Sequence, residues 1–198
     1  IDSSKAVTIQ FRKYVNDVLV DGVSYSGMVG EAFDLSVCKD TERADTVVEN
    51  VSKVTYSFKN WIVKDSNGNV INVSNNTFVP QTGNSIYCVE PEYDSTNYLA
   101  LIVTNHKYGG FWYSIETLAI DGDNQNVDDT DKHIYYVTSK DYLYIKISKA
   151  RLYNPYATIT LNGKTIKIAN GDNNTIQFED YSDTFEALNG PITIVGNS

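Results

Sequence analysis

YSFKNWIVKDSNGNVINVS, residues Tyr56 to Ser74, reads as a strand, a turn at Asn67-Gly68-Asn69 and a returning strand. Phe58 and Trp61 are the large side chains of a first strand that is otherwise polar or β-branched. Three positions separate them, so in an unbroken strand they point to opposite faces. Without a bulge they form no flat exposed platform.

Working outward, Lys5 to Tyr14 alternates Val7, Ile9 and Phe11 against Thr8, Gln10 and Arg12, the pattern of a half-buried strand. Asn16-Asp17 and Asp21-Gly22 supply turn chemistry, and Ala32 to Val37 alternates again. The opening is therefore expected to be a β-hairpin with a long polar connection. From Asp40 to Lys53 the period changes. Ala44, Val47, Val48 and Val51 fall at i, i+3, i+4 and i+7, which predicts a short helix capped by Asp40 or Thr41. Strands follow at Val54 to Lys64, Val70 to Val73 and Ser85 to Glu92. The segment Pro91 to Asn97 (PEYDSTN) marks the boundary of this α+β module.

The second half carries no competing helical pattern. Leu99 to Thr104, Phe111 to Ala119, His133 to Thr138, Tyr142 to Ser148, Ala157 to Leu161, Lys164 to Ala169, Thr175 to Phe178 and Pro191 to Val195 all read as strands. Asn162-Gly163 is the strongest hairpin turn among them. Strands at such regular intervals predict a sandwich or barrel. The expected fold is thus mostly β: an α+β module over 1–94, then an all-β sandwich-like module over 98–198.

Composition narrows the function classes. Fifteen tyrosines against one methionine and four prolines suit pleated sheet surfaces. A formal charge of −9 without a Lys/Arg cluster argues against nucleic acid. No apolar run reaches the ~18 residues that span a bilayer. The polar start Ile1-Asp2-Ser3-Ser4 is expected to belong to a fragment of a longer or processed chain. Cys38 and Cys88 stand 50 positions apart, a spacing compatible with a disulfide and equally with two buried thiols.

In the first module stand Val7-Thr8-Ile9-Gln10-Phe11, Gly30-Glu31-Ala32-Phe33, Tyr56-Ser57-Phe58-Lys59-Asn60-Trp61 and the closing strand Ile86 to Glu92. With these motifs it resembles the Listeria–Bacteroides, or internalin-type, B-repeat family of bacterial surface proteins. The motifs span roughly residues 5 to 94, with Asn60 where the family pattern has Gly before Trp. The resemblance implies a β-grasp fold, a spacer or adhesive role outside the cell, and no catalytic residue. It also places Tyr56 to Trp61 in the module core, with Phe58 under the helix and Trp61 closing the strand end beside Asn67-Gly68.

Signals for catalysis are thin. His106 and His133 are not in a metal-binding spacing, and no nucleophile elbow or phosphate loop occurs. The expectation is a protein without enzymatic activity or cofactor. Between Asp121 and Asp131 lie five aspartates, of which Asp121, Asp123, Asp128 and Asp129 are candidate Ca²⁺ ligands. The loop lacks the Gly and Glu of an EF-hand and suits a solvated acidic turn better. Aromatic residues crowd the second module. Trp112, Tyr135, Tyr142, Tyr144, Tyr153 and Tyr156 are the candidate binding residues. If Leu143 and Ile145 face the core, Tyr142 and Tyr144 form a stripe facing solvent.

The expected function is a structural or adhesive segment of a bacterial cell-surface or secreted protein, with a glycan or host-protein partner on the second module. Three alternatives are a carbohydrate-binding module, a phage receptor-binding module and an accessory domain of a larger secreted enzyme.

Overall fold

In a computed structural model the described residues are 3–108, 112–148, 154–161, 164–169, 171–172, 175–178 and 191–197. They are mostly β. Two compact units share the chain: residues up to Thr46 with Thr55–Thr96 form the first, and Val47–Val54 with the residues from Asn97 onward form the second.

The first unit opens with β1 (Ala6–Val15) and β2 (Val18–Met28), joined at Asn16 and Asp17. Both turn residues have positive φ, 49° and 63°, the left-handed pair that matches the twist of a two-residue hairpin. The hairpin therefore closes at Asn16-Asp17, and its connection is short, not the long one expected. The sequence of β2, VLVDGVSYSGM, hides this because its alternation fails at Gly22-Val23. There the register against β1 shifts, one residue of β1, Phe11, facing two of β2, Gly22 and Val23. Gln10 stabilises the bulge by donating from Nε2 to the Gly22 carbonyl at 2.9 Å. The expected second strand at 32–37 is only β3 (Phe33–Asp34) followed by a 3-10 turn at Leu35–Val37. Asp34 caps that turn by accepting from Ser36 N.

The helix expected over 40–53 is absent. Residues 41–45 are irregular, β4 (Thr46–Val48) is extended, and a turn with Asn50 at φ 60° follows. Val47 and Val48 are 54% and 52% exposed, so their spacing encodes no buried face. Branching at Cβ disfavours the helix, and no core contact compensates. Arg43 instead anchors the segment. Its guanidinium carbon lies 3.8 Å from the ring centre of Tyr14 and 3.7 Å from that of Tyr56, and Nη2 meets Asp17 at 3.4 Å.

β5 (Ser52–Lys64) contains the stretch Tyr56 to Lys64. A turn at Asn67-Gly68 leads to β6 (Val70–Ile71), with Asp65 Oδ1 accepting from both Asn67 N and Asn69 N at 2.9 Å. β7 (Thr77–Phe78) pairs with β3, and β8 (Ser85–Asn105) begins beyond it. The first part of β8 runs parallel to β1, and β5 pairs with β8 and β6. Within β5 the alternation slips: Lys59 and Asn60 are both exposed, so Phe58 and Trp61 turn inward together. Their rings meet edge to face at 5.1 Å. The opposite-face expectation fails at that slip, and Phe58 packs on Trp61 and Tyr93, not under a helix. The core comprises Val7, Ile9, Phe11, Trp61, Val63, Tyr87 and Val89. Leu35, Cys38 and Phe78 are buried in the same cluster. Residues 91–97, read as a module boundary, are strand throughout, and the division between the two units falls within them, after Thr96.

The second unit is all-β and sandwich-like. One sheet is built from β15 (Tyr156–Leu161), β16 (Lys164–Ala169), β18 (Ile192–Asn197), the second part of β8, and β13 (His133–Val137). The other has the order β12 (Asp123–Gln125), β11 (Ile115–Ile120), β14 (Tyr142–Ile147) and β17 (Thr175–Gln177). A separate pair joins β9 (Lys107–Tyr108) to β10 (Trp112–Tyr113). Strands of both sheets contribute alternate residues to one core. Leu101 and Val103 from β8, Leu118 from β11, Leu143, Ile145 and Ile147 from β14, Ile159 from β15 and Ile194 from β18 are all buried. Asn162-Gly163 lies outside the described residues, although Leu161 and Lys164 on either side of it are paired.

Two polar side chains sit in this core fully satisfied. Asn105 Nδ2 donates to the carbonyls of Ile115 (2.9 Å) and Val127 (2.8 Å), while its Oδ1 accepts from Ile115 N and Ser114 Oγ, both at 2.9 Å. Gly196 passes beside the pair. A Cβ there would run into Ser114 Oγ and stand 2.6 Å from Asn105 Oδ1.

Candidate binding face

The burial of β14 alternates strictly at its start, with Leu143 and Ile145 inward and Tyr142 and Tyr144 outward at 40% and 38% exposure. Cross-strand register builds the rest of this outer face, because directly opposed residues of antiparallel strands share a face. Tyr144 opposes Ala119 on one side and Thr175 on the other; Ala119 in turn opposes Asn124; Tyr142 opposes Gln177. The result is an aromatic pair among small and amide side chains.

Beside Tyr142 the surface dips into a depression of about 310 Å³ lined by Ser139, Lys140, Asp141, Tyr142 and Gln177. Its wall is the turn 138–141, held by Thr138 N donating to Asp141 Oδ2 at 2.7 Å and Asp141 N donating to Thr138 O at 3.2 Å. On the other side, the turn at Asp121 (φ 49°) and Gly122 (φ 82°) joins β11 to β12. Asp121 Oδ1 accepts from Tyr142 N at 2.9 Å, and a Cβ at Gly122 would lie 3.7 Å from the Tyr142 hydroxyl. Asp121 and Asp141 also share a hydrogen bond. Burial and then the neighbouring Asp121 raise the Asp141 carboxyl above the ordinary aspartate range. The bond from Asp141, followed by that from Tyr142 N, lowers Asp121.

The other candidates are dispersed. Tyr135 on β13 is half-buried against the core, its phenol raised by burial and then by Asp129, and its ring stacks on His133. Tyr156 lies on β15 beneath Lys167 Nζ, 4.1 Å from the ring centre. Trp112 belongs to β10, with its side chain outside the described set, and Tyr153 lies outside the described residues altogether. Of the six aromatic candidates, the described structure joins only Tyr142 and Tyr144.

The aspartates divide in the same way. Asp121 caps a turn, Asp123 begins β12, Asp128 follows the Asn126 Asx turn, and Asp129 Oδ1 contacts His133 Nε2 at 2.7 Å. Hydrogen bonding from His133 is the main cause that lowers Asp129. Among the described residues no group of three or more His, Cys, Asp or Glu side chains is placed to hold a metal ion. His106 is exposed. Cys38 and Cys88 are free thiols, Cys38 buried and Cys88 half-buried.

Sequence reasoning missed Asp141, Lys140 and Gln177. The signal for Asp141 was the short polar turn Thr138-Ser139-Lys140-Asp141 between two alternating strands. Gln177 becomes a neighbour of Tyr142 only through cross-strand register. Comparison with protein-family models, with curated proteins and with solved structures returns no match for this chain. No helix among the described residues is long and apolar enough to cross a membrane.

Proposed function

We propose that this chain is a non-enzymatic structural or adhesive segment of a bacterial cell-surface or secreted protein, and that its second unit meets a glycan or protein partner through Tyr142 and Tyr144. The observation that carries the proposal is the stripe itself. Two tyrosines stand exposed side by side on a regular sheet face whose reverse side is a well-filled core. Tyrosine offers large contact area with a polar tip and few rotors to immobilise, which suits recognition. The site is built on strands, so its two rings are held in fixed relation.

Support for the non-enzymatic reading comes from the carboxyls. Asp121 and Asp141 are hydrogen-bonded to each other. Each is also committed to a backbone N–H. Support for the β-grasp-like reading of the first unit is the opening hairpin, whose first strand runs parallel to the closing strand. In this reading the first unit is a spacer and the chain works outside the cell.

The test is a screen of the whole chain against immobilised glycans and extracellular-matrix proteins. Binding should fall for Tyr142→Ala and for Tyr144→Ala and persist for Tyr156→Ala. Binding that survives the first two substitutions leaves the stripe a structural feature and removes the proposal.

A further inference from the structure

The depression beside Tyr142 narrows the partner further, an inference that rests on the tyrosine face being the contact surface. Every side chain lining it is polar or amphipathic: a hydroxyl, an ammonium, a carboxyl, a phenol and an amide. No aliphatic side chain lines it, so an apolar anchor from a protein partner would lose water there without finding apolar contact. A polyhydroxylated ring fits both halves of the surface. Its C–H face can lie on the Tyr142 ring while its hydroxyls reach the groups around it.

Those groups are placed for the task. Gln177 stands directly opposite Tyr142, and its amide can donate and accept at once. Asp141 is fixed through Oδ2 on Thr138 N, which sets the orientation of its carboxyl at the wall. Tyr144 lies two residues further along the same face, roughly 7 Å away by strand geometry. A ligand longer than one ring would therefore find a second aromatic surface in line with the first.

Charge decides the class of sugar. The Asp141 carboxyl lines the depression beside the single ammonium of Lys140, and Asp121 is hydrogen-bonded to Asp141, in a chain of net charge −9. A sialic or uronic acid would bring its carboxylate toward that pair. We infer that the depression is a glycan subsite that takes an uncharged hexopyranose. One ring stacks on Tyr142 and hydrogen-bonds to Gln177 and Asp141, and the next residue of the chain lies over Tyr144.

The test uses the full chain and two matched sets of immobilised oligosaccharides, one of uncharged hexoses and one capped with sialic or uronic acid. Gln177→Ala is the informative variant because Gln177 is exposed at the end of a strand and its loss leaves the core intact. The expected result is binding to the uncharged set, weakened roughly three- to tenfold by Gln177→Ala and at least as much by Tyr142→Ala. Preference for the acidic set, or uncharged-glycan binding unaffected by Gln177→Ala, overturns the subsite. Binding of a protein alone, lost on Tyr142→Ala or Tyr144→Ala, overturns the glycan assignment and leaves the tyrosine face standing. Binding that ignores both tyrosines overturns the two proposals together.

Discussion

Replacing Asn105 by alanine should be among the most damaging single changes in the second unit. Asn105 is 1% exposed and makes four hydrogen bonds, three of them to the main chain at Ile115 N, Ile115 O and Val127 O. Truncation leaves those groups without this partner in a buried setting, at about 1–3 kcal/mol per orphaned group. Water entering the vacated space would recover part of that. The expected loss is about 3–5 kcal/mol, a large share of the stability of an ordinary domain. Ser114→Ala should cost less, about 1 kcal/mol, because it removes one hydroxyl, bonded to Asn105 Oδ1 and at 3.4 Å to the His106 carbonyl, and leaves Asn105 its three main-chain bonds. Gly196→Ala drives a Cβ into the same pair, so its cost and that of Asn105→Ala should fall well short of additive in the double variant. Urea unfolding gives the free energies. Amide hydrogen exchange at Ile115 and its neighbours assigns the loss to this unit. A variant Asn105→Ala within about 0.5 kcal/mol of the parent, with Ile115 still protected, would refute the reasoning.

Arg43→Ala should lower the stability of the first unit by about 2–3 kcal/mol, because a largely buried guanidinium between Tyr14 and Tyr56 is lost. Arg43→Lys should restore only part, since an ammonium cannot stack as a plane between two rings; calorimetry of both variants checks the order. Asp65 is held below its ordinary 3.8, first by Asn69 N, so its contribution is present above that value and lost as pH falls through the lower folded value. Asp65→Asn keeps an acceptor for the turn but should flatten the fall in melting temperature between about pH 5 and pH 2. Gly83→Ala should destabilise the first unit, because a Cβ there would overlap the Ser4 carbonyl, and a lowered urea midpoint is the readout.

How much could be read in the chain depends on where the information lies. Val7, Ile9 and Phe11, or Leu143, Ile145 and Ile147, announce their strands because burial on one face leaves a period of two. The second unit was therefore legible almost strand by strand. The 40–53 segment was misread because three valines at helical spacing mimic a buried face. Nothing in the sequence says that Arg43 has two tyrosine rings to lie between. The β2 strand was missed where a bulge breaks its alternation, and Phe58 with Trp61 where another slip turns both inward. Tyr142 and Tyr144 were legible as a stripe from strand period alone. Gln177, 33 residues beyond Tyr144, and the Asp121–Asp141 contact were not. Both depend on which strands lie side by side, and local pattern carries no trace of that.

The most direct measurement is the dissociation constant for the strongest binder from the glycan and matrix screen, compared between the parent chain and the double variant Tyr142→Ala/Tyr144→Ala. A melting curve run in parallel reports the fold. Two exposed aromatic anchors on a rigid sheet should together account for at least about a thirtyfold change, with the melting temperature held. A dissociation constant within about twofold of the parent, in a double variant that melts as the parent does, would contradict the role assigned to this face.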